Sequence, residues 1–221
     1  MVAEARRLGA VSGFAKPGAR ATSWPSILAF TDPLRTPDPL ALCRTLPRGC
    51  AVVYRAFGDP KAVEIGRRLR RATRQRGLAF FVGADIALAR RVQADGLHLP
   101  ERLAGRKGAI LDAGRRFLVS AAAHDASAIL RARGAGVRAL VVSAIFPSES
   151  PSAGKPLGVR RLAVLVRTAR MPVYALGGVN PTTVRALRRS GVVGVAGVGA
   201  FSPRTNPAPA TRPEGEPGVR T

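Results

Sequence analysis

Short apolar runs alternate along the central part of the chain with longer stretches whose hydrophobic residues recur at helical spacing. The runs are apolar at odd and even positions alike, which is typical of strands buried on both faces, as in a parallel sheet. They cover residues 27–31, 50–54, 78–82, 96–99, 117–120, 139–143, 172–176 and 192–198. The intervening stretches predict amphipathic helices, as where Ala62, Ile65, Leu69 and Ala72 are separated by polar and basic residues.

The strand count decides between two architectures. Eight strands alternating with helices favour an α/β fold with one domain, a (β/α)8 TIM barrel, and an open doubly wound sheet is the alternative. The count favours the barrel because eight parallel strands can close on themselves. After Phe201 only a Pro-rich stretch follows, so the eighth helix is expected to be short or absent. An N-terminal segment, or a partner subunit in a homo-oligomer, could cover the barrel there.

The barrel is expected to occupy residues 25–202, between two tails. Residues 1–24 mix small and basic residues without sustained periodicity and predict a flexible basic tail, and residues 203–221 predict a disordered Pro-rich tail. No apolar run approaches the roughly 20 residues of a membrane span, and the N-terminus lacks the apolar region of a secretory signal. Two cysteines cannot form a disulfide framework. We therefore expect a cytoplasmic protein with no membrane partner.

The charge is strongly unbalanced, with 36 Lys and Arg against 13 Asp and Glu and a formal net charge of +23. Such a surplus attracts polyanions and favours the capture of phosphorylated substrates. The other interpretation is that the arginines only cover solvated helix faces. Aromatic residues are not interleaved with the basic ones and no nucleic-acid-binding motif is present, so no specific nucleic-acid partner is expected.

A TIM barrel carries its functional residues at the carboxyl ends of its strands. Arg55 follows the second run, Ser120 ends the fifth with His124 nearby, and a long Ser-rich loop containing Lys155 follows the sixth. Glycines follow the seventh and eighth runs, where their backbone N–H groups could approach an anion. The residues expected to bind phosphate are Ser148, Ser150, Gly177, Gly178, Gly197, Val198 and Gly199. A solvated linker and tight turns are the alternative interpretations.

Several short motifs stand in a fixed order along the chain. They are LAFTD at 28–32, ADGLHL at 94–99, IFPS at 145–148, LGGVN at 176–180, GVA at 194–196 and GAF at 199–201. This ordered set resembles the thiamine-phosphate synthases and their relative, the thiazole tautomerase, over about residues 26–202. The resemblance implies a barrel that couples hydroxymethylpyrimidine pyrophosphate to thiazole phosphate, giving thiamine phosphate and pyrophosphate.

The resemblance also implies roles for the candidate residues. Arg55 matches the arginine that holds the phosphates of the pyrimidine substrate, and Ser120 matches a serine that donates to the pyrophosphate. Ser148 and Ser150 match the hydroxyls of the sixth loop, which Lys155 could reach. Gly178 and the strip 197–199 match the cradle of the thiazole phosphate.

Magnesium is the cofactor that the resemblance implies, held by aspartates after the third and fourth strands. Gly83 and Ala84 stand where the family carries an Asn-Asp pair, and Arg102 or Leu103 stands at the second aspartate. Apolar and cationic side chains cannot ligate Mg²⁺, which requires oxygen, so we predict no metal-binding residues. The neighbouring Asp85 and Glu101 are interpreted as acids at helix N-termini.

His124 supports a second hypothesis. It lies two residues later than the family's Ser-x-His pattern, as if a short insertion had occurred, and the tautomerase uses a histidine in this region for proton transfer. His124 is therefore the candidate acid or base, and His98, within a strand, is interpreted as structural. Three functions remain open: a synthase, which we favour, a tautomerase-like isomerase that uses His124, and a non-catalytic protein that binds a phosphorylated ligand.

Overall fold

The protein is described here by a computed structural model, in residues 1–11, 24–148 and 154–201. Its eight strands pair in parallel in the order of the chain and form a closed barrel. The strands are β1 (Ile27–Phe30), β2 (Ala51–Tyr54), β3 (Ala79–Gly83), β4 (Gly96–Leu99), β5 (Leu118–Ala123), β6 (Ala139–Val142), β7 (Val173–Ala175) and β8 (Gly194–Val198). The predicted (β/α)8 barrel is confirmed.

Helices separate the strands along the chain. They are α1 (Val2–Val11), α2 (Pro39–Thr45), α3 (Ala62–Arg76), α4 (Ile86–Arg91), α5 (Lys107–Gly114), α6 (Ala126–Ala135) and α7 (Gly158–Ala169), with 3₁₀ helices at Glu101–Leu103 and Thr183–Arg189. The carboxylates of Asp38, Asp85 and Asp125 accept hydrogen bonds from backbone N–H groups at the starts of α2, α4 and α6. In the described ranges, no helix has the length and apolar character needed to cross a membrane.

The core has two layers because the strands are covered on both faces. One layer fills the barrel and includes Leu28, Phe30, Phe81 and Tyr174, whereas alternate residues such as Ile27 pack outward beneath the helices. This double burial accounts for runs that are apolar at both odd and even positions.

The barrel closes where β1 pairs with β8, in a register that places Ile27 opposite Val195 and Phe30 opposite Val198. The described residues end at Phe201, and no helix follows β8 within them. The helix α1 instead packs against β1, β8 and the 3₁₀ helix Thr183–Arg189. An N-terminal segment, one of the two covers that the sequence suggested, therefore occupies this side of the barrel.

The formation of α1 corrects the prediction of a flexible tail for residues 2–11. Ala5 and Leu8 are buried, and the carboxylate of Glu4 accepts two hydrogen bonds from Arg188, of 2.5 and 3.0 Å. A short row of apolar residues on one face is enough to dock a helix of ten residues. This pattern is not visible in the average composition of residues 1–24. The rest of both predicted tails, residues 12–23 and 202–221, lies outside the described residues.

If α1 is part of the folded barrel, Leu8→Ala should lower the free energy of unfolding by about 2–4 kcal/mol, since the substitution leaves a cavity under the helix. Arg7→Ala is the matched control on the exposed side of the same helix and should change it by less than about 0.5 kcal/mol. Urea unfolding measures both. Equal, small effects of the two substitutions would show that α1 is not docked.

Candidate active site

The carboxyl ends of the parallel strands meet at one end of the barrel, here called the mouth, and two cavities adjoin there. The large cavity has a volume of about 840 Å³ and the small cavity about 100 Å³. Arg35, Ser143, Leu176 and Val198 line both cavities, so the two share a wall. Small-molecule sites usually span about 300–1,000 Å³, so the large cavity fits a whole ligand and the small one a single group.

The small cavity collects most of the residues predicted to bind phosphate. Its lining includes Ser148, Gly177, Gly178, Gly197 and Val198. Ser150 lies outside the described residues. Gly199 does not line the small cavity, but it packs against Arg35, which does line it.

Two glycines give the small cavity its shape. Gly177 and Gly178 have φ angles of +96° and +64°, and a side chain on Gly178 would lie 2.7 Å from the Cβ of Phe146. Within the described chain, neither backbone N–H group of this pair donates a hydrogen bond. Successive N–H groups in such a turn form a concave binding surface for an anion. Only glycine fits here, and the small cavity is suited to one phosphate group.

Arg55 lines the large cavity and is held in place from several sides. Its Nε donates to the carbonyl of Thr31 at 2.8 Å, its Nη2 donates to Asp32 Oδ2 at 2.9 Å, and its guanidinium carbon lies 4.9 Å from the centre of the Phe57 ring. Burial lowers the pKa of Arg55, and the charge of Asp32 opposes that effect. The guanidinium is thus fixed before any ligand arrives.

Arg35 is a site residue that sequence reasoning missed. It lies in the loop after β1, and its Nη2 is 3.5 Å from the same oxygen of Asp32 that Arg55 contacts. Burial raises the pKa of Asp32, but the backbone N–H groups of Arg35 and Leu34 and the charges of both arginines bring it below its ordinary value. One ionised carboxylate therefore faces two guanidinium groups between the two cavities.

Ser120 is not at the end of its strand, because β5 continues to Ala123. Ser120 is fully buried, with its Oγ 3.1 Å from Nδ1 of His98 and 3.4 Å from the carbonyl oxygen of Leu97. Ala122, two residues further along β5, faces the large cavity instead. The structure therefore places Ser120 behind the cavity wall, in contact with His98.

β5 is regular in the residues that precede His124. Residues Ser120 to Ala123 pair one by one with Ala139 to Val142 of β6, so the strand holds no extra residue. The position two residues before His124 is Ala122, which supplies no hydroxyl. The match of Ser120 to the serine of the family's Ser-x-His pattern stays a prediction.

The two histidines lie in different surroundings. His124 is 58% exposed, its Nδ1 lies 2.6 Å from Oε2 of Glu101, and it lines neither cavity. His98 is buried, lines the large cavity and packs edge-on against Phe30 with ring centres 4.9 Å apart. Burial, followed by the nearby charge of Arg55, lowers the pKa of His98 to about 3. His98 is therefore a neutral group in the cavity wall at ordinary pH.

Lys155 does not join the site. Its side chain is exposed, and it lines neither cavity. The loop segment 149–153 that precedes it lies outside the described residues. Arg102 and Arg106, from the segment that follows β4, supply cationic groups at the large cavity instead.

Comparison with known proteins agrees with this geometry. A family described as thiamine monophosphate synthase matches residues 42–201. The chain is 31% identical to a thiamine-phosphate synthase of Alcanivorax borkumensis over 81% of its own length and 86% of the relative's. It belongs to the thiamine monophosphate synthase family.

Further relatives agree with the assignment to the thiamine monophosphate synthase family. A putative thiamine-phosphate synthase 2 of Aquifex aeolicus is 26% identical over 65% of this chain and 76% of that protein. Among solved structures, a thiamine phosphate pyrophosphorylase from Pyrococcus furiosus superimposes with a TM-score of 0.67 at 25% identity, covering 78% of this chain and 84% of that one. The resemblance found in the sequence motifs is confirmed.

The magnesium that the family resemblance implies does not fit the residues of this mouth. Gly83, Ala84, Arg102 and Leu103 all line the large cavity, and none offers a side-chain oxygen. The nearby Asp85 accepts the N–H of Leu88 at 2.8 Å as the cap of α4. Glu101 accepts hydrogen bonds from His124 and Arg131. Across the described residues, no group of three His, Cys, Asp or Glu side chains could hold a metal ion.

The low pKa of His98 predicts a pH dependence of stability. The unfolded chain binds a proton at His98 below about pH 6.5, whereas the folded protein does so only near pH 3. Stability from the neutral ring is therefore complete above pH 6.5 and is lost as the pH falls. Between pH 7 and 5 the free energy of unfolding should fall by about 2 kcal/mol from this cause. The substitution His98→Gln should abolish this pH dependence. Urea unfolding at several pH values checks this. Superimposable profiles of the two proteins would contradict the burial of a neutral His98.

The shape of the small cavity predicts that Gly178→Ala weakens the binding of inorganic phosphate at least about tenfold, the usual cost of losing a hydrogen bond to a charged group. The added methyl group collides with the 146–147 segment and strains the left-handed backbone. Gly105→Ala is the matched control, because a methyl group there meets no atom within 4 Å. Isothermal titration calorimetry measures both. Equal affinities for phosphate would show that the small cavity is not the phosphate site.

Proposed function

We propose that this protein is a transferase that joins hydroxymethylpyrimidine diphosphate to thiazole phosphate, giving thiamine phosphate and free diphosphate. The observation that carries the proposal is the shared wall between a glycine-lined cavity for one phosphate and a larger cavity with arginines. In this reaction two phosphorylated substrates must lie close together, and two adjoining cavities would hold them in that arrangement.

The linings of the two cavities suggest which substrate each one takes. The thiazole phosphate would place its phosphate against the N–H groups of Gly177 and Gly178 and the hydroxyl of Ser148. The pyrimidine diphosphate would occupy the large cavity, with its ring against Phe30 and other apolar side chains and its phosphates against arginines. Arg35 lines both cavities and would contact both anions.

The transfer breaks the bond between the pyrimidine methylene carbon and a diphosphate oxygen, and the electron pair stays with the departing diphosphate. The lone pair of the thiazole nitrogen forms the new carbon–nitrogen bond, which leaves a thiazolium cation. Negative charge grows on the diphosphate as the bond breaks. Arg55, already fixed by Thr31 and Asp32, would stabilise that charge without having to rearrange.

The remaining wall of the large cavity suits an electron-poor methylene carbon. Apolar side chains such as Leu97 and Ile86 line it and would limit the access of water, which could otherwise capture that carbon. His98 adds no positive charge to this wall because its pKa is about 3.

The isomerase hypothesis loses support from the geometry. It needs His124 beside the bound thiazole, but this histidine is exposed, contacts Glu101 and lines neither cavity. A non-catalytic protein that binds phosphorylated ligands would have the same cavities without turnover.

The decisive assay mixes purified protein with both phosphorylated precursors and follows thiamine phosphate and diphosphate release, and separately thiazole aromatisation. Arg55→Gln should lower kcat/KM for coupling by about 100-fold or more, since it removes a fixed charge from the leaving group. Arg90→Gln alters an exposed arginine paired with Asp112 and should leave coupling unchanged, as should His124→Ala.

Two outcomes would contradict the proposal. Aromatisation that depends on His124, without coupling, would indicate the isomerase. Binding of both phosphorylated compounds without either reaction would indicate the non-catalytic protein.

A further inference from the structure

Arg102 and Arg106 give the large cavity a cationic wall, and within the described part of the chain no acidic side chain forms an ion pair with either of them. Arg102 lies in the 3₁₀ helix after β4, Arg106 immediately precedes α5, and both line the cavity. In the ranges that the structure describes, neither side chain takes part in a hydrogen bond or an ion pair. These two guanidinium groups are thus available to a ligand.

Positive charges predominate among the described residues that line the large cavity. Four of these residues are arginines: Arg35, Arg55, Arg102 and Arg106. Two carboxylates lie beside them, but Asp32 is shared by Arg35 and Arg55, and Asp85 caps α4. Like charges gathered around one cavity repel each other until an anion enters.

A diphosphate group matches this wall in charge and in hydrogen bonding. It carries several negative charges and offers only oxygen acceptors, and guanidinium groups bind such oxygens in pairs. A divalent cation matches it poorly. It needs several oxygen ligands, whereas the described lining offers one carboxylate, that of Asp85, whose Oδ1 accepts the N–H of Leu88. Gly83, Ala84 and Leu103 supply no side-chain oxygen, and the arginines would repel the cation.

We propose that the arginines of the mouth bind the diphosphate of the substrate without a divalent cation, and that Arg102 and Arg106 are binding residues for it. The inference rests on the proposed function for the identity of the anion. At the cavity wall, the side chain of Arg102 itself carries a positive charge of the kind that a bound metal ion would otherwise supply.

Calorimetric titration with inorganic diphosphate in buffer containing EDTA tests the proposal on the full chain. Diphosphate should bind with the metal removed, and excess Mg²⁺ should weaken binding, because the magnesium–diphosphate complex carries less negative charge. Arg102→Gln and Arg106→Gln should each raise the Kd by about tenfold or more, the effect of losing a charge-assisted hydrogen bond. Arg90→Gln, outside the mouth, is the matched control and should leave the Kd unchanged.

The opposite results would overturn the proposal: diphosphate binding that requires Mg²⁺, or a Kd that neither mouth substitution changes while circular dichroism shows each variant folded. The coupling assay separates this failure from that of the proposed function. Coupling that occurs only with Mg²⁺ overturns the metal-independent site and leaves the transferase. Diphosphate binding in EDTA that depends on Arg102, without any coupling, supports the site and overturns the transferase.

Discussion

The pairing of β1 with β8 is the constraint on which the whole site depends. It joins the first strand of the barrel to the last, and it places the loop with Asp32 and Arg35 beside the strip that begins at Gly197. A further contact reinforces the closure, since the hydroxyl of Thr45 donates to the carbonyl of Phe201 at 2.8 Å. If a sheet with this sequential strand order stayed open, β1 and β8 would lie at opposite edges, and the two cavities could not share a wall.

Asp32 organises the charges that this closure brings together. It accepts backbone N–H groups of its own loop and faces both Arg35 and Arg55, so a single carboxylate orients two cations. Burying such a group costs solvation energy, which its hydrogen bonds and ion pairs offset. Among the described residues that line the large cavity, arginines outnumber acidic residues. An anionic ligand would balance this positive charge.

The barrel and the glycine-lined cavity could be predicted from the sequence because their causes are local. Double burial makes each strand apolar throughout, and a tight turn after a strand requires glycines such as Gly177 and Gly178. Features that depend on the path of the chain could not be predicted. Arg35 and Arg106 reach the site because of the path of the loops that carry them. The sequence on either side of these two residues does not predict that path.

The end of β5 shows how a small error propagates. The apolar pattern predicts a fifth strand that ends at the polar Ser120, but Ala121 to Ala123 continue the strand despite the low strand preference of alanine. The strand therefore ends three residues later than predicted. Ser120, which the prediction placed in contact with the substrate, is instead buried against His98. Strand register also sets the burial of the two histidines: His98 is buried within β4, in agreement with its structural interpretation, whereas His124 is exposed.

A crystal structure of the protein with thiazole phosphate and inorganic diphosphate bound together is the most direct test of the central claim, that one mouth holds two anions side by side. The account predicts the monophosphate against Gly177 and Gly178 and the diphosphate against Arg55 and Arg102, with Arg35 between them. Anions bound on separate faces of the barrel, or only one anion in the mouth with the glycine turn unoccupied, would contradict it.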